Sequence, residues 1–377
     1  MAANDQQPLH ILFFPQVAAG HLIPVADMAN LFSSRGVKCT ILTTPKNAAV
    51  IRLAVDQAAN GASGGTGFPA IDISTVPFPD VGLPPSFESI ADLTSQADKG
   101  KLVDALHRLC EPLDRFLAEH RPDAVVVDSF LVIPPPSTTM FARASNDSLL
   151  RNNPLELAPD DPDAGVSLPG LPHRVALRRS QMMDPRTNEL EWNYYQRVNV
   201  ADQRSYGEIF NSFAELELET GAARAGAGGL APEAERCLRW LDEKPEGSVV
   251  YVSFGTLTHF TVAELREGLI FRGWALQRLI LDHSAIGGFV THCGWISVLE
   301  AVSAGVPLVT WPRYADQFYN AKLVLEVLKI GVGVGSRVYA SKLEVRGEVI
   351  SGEKIAEAID GVMGCWAVFL VARRGEC

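Results

Sequence analysis

The residues with the clearest chemical commitment in this chain of 377 amino acids fall between Trp274 and Gln317, in WALQRLILDHSAIGGFVTHCGWISVLEAVSAGVPLVTWPRYADQ. An imidazole, His292, follows an apolar run, Ile286 to Thr291, that has the composition of a buried strand. Ser297 and Glu300 come next at S-x-x-E spacing, which predicts a capping box and a helix opening at Ser297. A helix start leaves backbone N–H groups unpaired and exposes the positive end of its dipole. An imidazole, a serine hydroxyl and such a helix end, met at the carboxyl edge of a buried strand, can cradle a diphosphate without a metal. Trp274 offers an aromatic face for a base and Glu300 a carboxylate for ribose hydroxyls. Asp316 and Gln317 form a polar pair after the next strand, Leu308 to Trp311. Together these outline a nucleotide sugar. Each also has a plainer reading: Ser297 and Glu300 as caps, Trp274 and Trp311 as packing, His292 as a satisfied turn residue.

A second constellation lies near the start of the chain. Leu9 to Phe14 reads as a buried strand, Pro15 to Gly20 as a loop of small residues, and His21 precedes a helical pattern carrying Ile23, Met28, Leu31 and Phe32. Gly36 closes that helix and Val37 to Thr43 forms a second strand, which completes a βαβ unit. His21 then belongs at the carboxyl edge of a parallel sheet. Leu102 to Glu119 has helical spacing, and Ala124 to Val127 is a short apolar strand that stops at Asp128. A histidine whose second ring nitrogen donates to such a carboxylate is held in one tautomer and becomes a better general base. A helix-start histidine with no role is the alternative.

The elements that must position these groups follow from the rest of the chain. Ala58 to Gly67 reads as a surface loop, Ala70 to Val76 as a strand, Asn146 to Asp184 as polar Pro-rich loops, Glu191 to Arg204 as a helix and Gly207 to Phe213 as a strand. Ser248 to Phe254 is a strong strand ending at Gly255-Thr256, where the Thr256 hydroxyl could touch a phosphate. Beyond Gln317 come a helix at Asn320 to Leu328, a strand at Ile330 to Gly335 and a helix at Gly352 to Met363. The helix opening at Thr261 runs almost at once into Trp274, so a whole strand-helix repeat of a doubly wound sheet is missing. The expected domains are 1–214 and 237–363, each Rossmann-like, with a linker at 215–236 and an atypical tail at 364–377.

Composition narrows the classes. Hydrophobic residues at 47%, charged residues at 20%, 31 Gly and 24 Pro describe a globular α/β protein. The net charge of −11, with no Lys/Arg cluster, argues against nucleic-acid binding. Six cysteines form no C-x-x-C pair and no zinc spacing, which points to free thiols. No run reaches membrane-spanning length and the N-terminus has no basic leader, so a cytoplasmic monomer is the expectation.

The stretch from Trp274 to Gln317 resembles the donor-binding box of plant family 1 UDP-glycosyltransferases, with its W-A-P-Q, H-C-G-W-N-S, E and D/E-Q landmarks. The resemblance implies a GT-B architecture, two doubly wound Rossmann-like domains facing a cleft. It implies donor contacts at Trp274, Ala275, Gln277, His292, Gly294, Trp295, Ile296, Ser297, Glu300, Asp316 and Gln317. Thr138 resembles a threonine near the donor sugar. Gly20-His21-Leu22-Ile23-Pro24 and Val127-Asp128-Ser129-Phe130 match the catalytic-base motif and the aspartate that orients it. The implied reaction is inverting, metal-independent transfer of a hexose, with glucose favoured by Gln317, from a UDP-sugar to a hydroxyl of a phenolic, flavonoid, terpenoid or hormone. No cofactor is implied. Leu276 and Ile296 depart from the motif where the family has proline and a phosphate-contacting asparagine. With three apparent gaps, these departures raise the alternative of a truncated, catalytically silent homologue. A dinucleotide oxidoreductase would need G-x-G-x-x-G where this chain has Ala18-Ala19-Gly20.

Overall fold

The computed structural model describes residues 8–61, 69–85, 87–93, 95–127, 155, 159–168, 174–184, 186, 189, 192–193, 232–255, 277–314, 316–339 and 350–364. Contacts divide the chain into two units, Met1–Val132 with Ala223–Gly229, and Ile133–Ala222 with Leu230–Cys377. Residues 215–231 of the expected linker, and the expected helix and strand across 194–213, lie outside the described residues.

In the first unit the apolar run HILFF forms β1 (His10–Phe14), buried except at its first residue. It pairs in parallel with β2 (Lys38–Thr43) and with β4 (Ala124–Val127), and β2 pairs with β3 (Asp72–Thr75), giving the order β3-β2-β1-β4. Near-continuous apolar strands suit a parallel sheet covered on both faces. The connection is α1 (Ala19–Ser33), whose Leu22, Ala26 and Ala29 pack with Phe13, Ile41 and Ile51. Full burial of a side chain such as Phe13 or Leu22 contributes about 1.5–3 kcal/mol.

Three elements of this unit differ from expectation. Helix α1 begins at Ala19, so His21 lies inside its first turn rather than before it, and Pro24 lies within the helix, where it leaves the Gly20 carbonyl without its i+4 donor. Residues Pro45–Gly61 form α2, a helix opened by proline at its first position, where a loop was expected from residue 58. The expected single helix over 102–119 is two, α3 (Gln96–Arg108) and α4 (Cys110–His120), joined at Leu109. Arg121 ends α4 in the left-handed region, with φ 43°.

The second unit carries β7 (Val249–Ser253), β8 (Ile286–Thr291), β9 (Leu308–Thr310) and β10 (Gly331–Gly333), all parallel, in the order β10-β9-β8-β7. Successive strand residues face opposite sides. Phe289 and Leu308 therefore join one core with Leu281, Trp295, Val298 and Leu299, while Val290 and Val309 join another with Ala358 and Val362. The helices are α5 (Pro232–Asp242), α6 (Gln277–Leu281), α7 (Trp295–Ala304), α8 (Gln317–Lys322) continued by a π-helical turn over Leu323–Leu328, and α9 (Gly352–Gly364).

The stretch read as Pro-rich loops contains an antiparallel hairpin, β5 (Gly165–Ser167) with β6 (Ala176–Arg178). Its Val166, Leu168, Val175 and Leu177 bury against Phe318 and Tyr319, and Gln181 donates to the Ser336 carbonyl at 3.0 Å. Three-residue strands carry too little pattern to be read from sequence. Buried Arg179 pairs with Asp184 at 2.9 Å; bonding from Arg186 first, then from Arg179, holds the Asp184 carboxyl down at about 2. No helix among the described residues is long and apolar enough to cross a membrane.

Candidate donor site

Three strand ends in register build the site. Ser253 of β7 pairs with Thr291 of β8, and Thr291 with Thr310 of β9, so the loops that follow all leave the same carboxyl edge. This is the edge at which open parallel sheets bind ligands.

After β8 the chain turns sharply through His292, Cys293 and Gly294. Cys293 is buried and lies in the left-handed region, at φ 65°, which a β-carbon disfavours. Its N–H donates to Thr291 Oγ1 at 3.2 Å, and its carbonyl accepts from Asn320 Nδ2 at 2.9 Å. Its thiol is pushed up by burial, which fits a packed small side chain rather than a nucleophile.

His292 is half-buried, and its Nδ1 is sealed from solvent without a hydrogen-bond partner. Burial pulls the imidazole down to about 4, against a smaller opposite pull from the Ser253 backbone, so the ring is neutral at pH 7 and offers one N–H. Glycines make room for it. A β-carbon added to Gly294 would lie 2.5 Å from His292 Nε2, and one added to Gly255, at φ +73°, would lie 2.6 Å from the same atom.

Helix α7 begins at Trp295 with Gly294 as its N-cap and no side-chain cap, so the expected capping box is not formed. The turn geometry of Gly294 starts the helix two residues early. Ser297 therefore sits in the first turn, where backbone N–H groups lack an intrahelical acceptor. Its hydroxyl and Glu300 share one donor: Gln277 Nε2 reaches Ser297 Oγ at 3.1 Å and Glu300 Oε2 at 2.8 Å. Trp295 is buried in the core beside Val298 and Leu299, and Ile296 is half-buried.

After β9, buried Gln317 accepts at Oε1 from the backbone N–H groups of Arg313 (2.9 Å) and Tyr314 (3.2 Å). Asp316 caps α8 in position only and accepts from Asn320 Nδ2 at 2.8 Å. The structure thus brings together Gln277, His292, Gly294, Ser297, Glu300, Asp316 and Gln317. Asp128, Thr138, Thr256, Trp274 and Ala275 lie outside the described residues.

In the first unit His21 is half-buried at the start of α1, its backbone N–H donating to the Ala18 carbonyl at 2.9 Å. Val127, the residue before Asp128, stands opposite Phe14 in the sheet. Sequence reasoning missed three residues. Gln16, in the loop after β1, and Thr43, at the end of β2, are buried with side-chain polar atoms that meet no partner, and Asn320 is fully buried with only Oδ1 unmatched. Only Asn320 left a signal, its i, i+4 spacing from Asp316.

Known proteins resemble this chain in sequence and fold. The sequence family described as UDP-glucoronosyl and UDP-glucosyl transferase matches residues 243–342. The chain is 37% identical to scopoletin glucosyltransferase of Nicotiana tabacum over 435 aligned positions, covering 94% of this chain and 89% of that protein. It is 35% identical to UDP-glucose flavonoid 3-O-glucosyltransferase 7 of Fragaria ananassa, covering 96% and 89%. Alignments longer than the chain's 377 residues mean that internal stretches of the relatives have no counterpart here. Among solved structures, Glycyrrhiza uralensis UGT73P12 complexed with glycyrrhetinic acid 3-O-monoglucuronide superposes with a TM-score of 0.81 at 32% identity, covering 98% of this chain and 90% of that one. Medicago truncatula UGT71G1 complexed with UDP-glucose shares the fold, with a TM-score of 0.69 at 20% identity and coverage of 97% and 94%.

Proposed function

The chain belongs to the plant family 1 UDP-glycosyltransferases, enzymes of GT-B fold, and from that premise we propose that it transfers glucose from UDP-glucose to a hydroxyl of a small plant metabolite, with inversion and without a metal. The acceptor class is a phenolic, flavonoid, terpenoid or hormone. Relatives named for scopoletin and flavonoid substrates support that range.

In this reading His21 takes the acceptor hydroxyl proton and Asp128 orients it. The acceptor oxygen forms a bond to the anomeric carbon as the bond from that carbon to the diphosphate oxygen breaks, and UDP leaves from the opposite face. Charge that develops on the departing diphosphate is met by the His292 N–H, the Ser297 hydroxyl and the first turn of α7. A neutral imidazole suits this role, because it donates without requiring protonation at pH 7. Asp316 and Gln317 hold sugar hydroxyls, and Trp274 and Glu300 hold the nucleoside, with Thr138 and Thr256 near the sugar and phosphates. The observation that supports the reading is the register of Ser253, Thr291 and Thr310, which brings the turn bearing His292 and the loop leading to Asp316 to one sheet edge.

The test is His21→Ala. Transfer is expected to fall by about 10²–10⁴-fold, the usual contribution of a positioned general base, while UDP affinity is unchanged. Equal turnover in that variant overturns the base assignment.

One observation favours a second reading. Ile296 occupies the first turn of α7, where an asparagine would donate to the diphosphate. Loss of a hydrogen bond to a charged group costs about 1.5–3 kcal/mol. A chain that binds UDP without turnover is what that reading, a silent homologue, predicts.

A further inference from the structure

Asn320 is fully buried, yet its side chain reaches two loops that leave different strands. One amide hydrogen goes to the Cys293 carbonyl at 2.9 Å, in the turn after β8; the other goes to Asp316 Oδ2 at 2.8 Å, after β9. An amide NH₂ has two donors, so this one is fully committed. We propose that Asn320 is a positioning residue for donor binding: it fixes the distance between the turn that presents His292 to the diphosphate and the carboxylate that holds the sugar. The proposal rests on the site reading above.

The geometry makes that link sensitive. Cys293 sits in the left-handed backbone region, which strains a residue with a β-carbon, and such conformations persist only where surrounding contacts over-determine them. The Cys293 N–H donates to the Thr291 hydroxyl and its thiol to the Thr291 carbonyl, while its own carbonyl accepts from Asn320. Released from Asn320, the turn can relax toward an ordinary conformation. The His292 ring moves with it, and that ring has no slack, since Gly255 and Gly294 leave it no room for even one added carbon. At the same time Asp316 loses one donor to its carboxylate. Phosphate and sugar contacts therefore drift apart together, although Asn320 touches neither.

A merely structural asparagine and a positioning one differ in what they couple. The experiment is a double-variant cycle on the full chain with Asn320→Ala, Asp316→Ala and both. It reads kcat/KM for UDP-glucose well below the melting temperature, or UDP-glucose affinity by calorimetry should the chain bind without turnover. Asn320→Ala is expected to lower the value by up to about 100-fold, the scale of a 1 Å misplacement. The double variant should fall little further than the worse single one. Independent losses that multiply, or a lower melting temperature with the value unchanged, overturn the proposal. Should Asn320→Ala fail to fold, Asn320→Ser keeps one donor for one acceptor, and a smaller loss that still disappears in the Asp316→Ala background is expected; an unchanged value there is equally fatal. A native chain that binds no UDP-glucose sinks the site reading itself, and this inference with it. Native activity together with an unaffected Asn320→Ala sinks the inference alone.

Discussion

At the carboxyl edge of the second sheet, side-chain amides tie the loops to one another: Gln277 to Ser297 and Glu300, Gln317 to the backbone of Arg313 and Tyr314, and Asn320 to Cys293 and Asp316. The first sheet ends differently, with Gln16 and Thr43 buried beside one another's strands and their polar side-chain atoms unmatched. A buried polar group without a partner costs about 1–3 kcal/mol, so the first edge carries a cost that the second largely avoids. The second edge is already organised and, among the described residues, leaves only His292 Nδ1 and Asn320 Oδ1 unmatched. In the proposed function the preset edge is the one that takes the nucleoside diphosphate sugar, whose chemistry is fixed, and the other faces an acceptor. Preorganisation of this kind lowers the ordering cost of binding.

Gly294→Ala attacks the preset edge where it is tightest. The new β-carbon meets His292 Nε2 at 2.5 Å, the ring must leave its place, and UDP affinity measured by calorimetry is expected to fall at least about tenfold, or 1.4 kcal/mol. Unchanged affinity would mean that the ring's position is not part of diphosphate binding, and the contrast between the edges would lose its basis. Gln16→Leu probes the other side with a smaller effect. Removing an unmatched amide should leave stability unchanged or raise it by about 1 kcal/mol. UDP affinity should hold and the KM for acceptor should rise severalfold. A loss of UDP affinity in that variant would place Gln16 with the donor and erase the distinction.

How much of this was legible in the sequence depended on range. β8 was readable to the residue, because Ile286–Thr291 is a continuous apolar run closed by a polar turn. The landmarks from Gln277 to Gln317 came from resemblance to the family's donor-binding box. The start of α7 was set two residues late because Gly294 caps through backbone conformation alone, whereas Ser297 and Glu300 imitate a side-chain cap. Helix α2 was missed, and its last residues fell in the Gly/Ala-rich stretch from Ala58 that read as a surface loop. The left-handed Cys293 and the bond from Asn320 to its carbonyl had no local signature, since they meet only once β8 and β9 pair; only the i, i+4 spacing of Asn320 from Asp316 was visible. The hairpin β5–β6 hid among prolines and charges for the same reason: its burial is against Phe318 and Tyr319, far along the chain.

The claim beneath all of this is that the turn after β8 and the first turn of α7 receive a nucleoside diphosphate. Titration calorimetry of UDP into the native chain tests it most directly. The account predicts saturable binding at one site with a micromolar dissociation constant; no detectable heat of binding at millimolar UDP would contradict it.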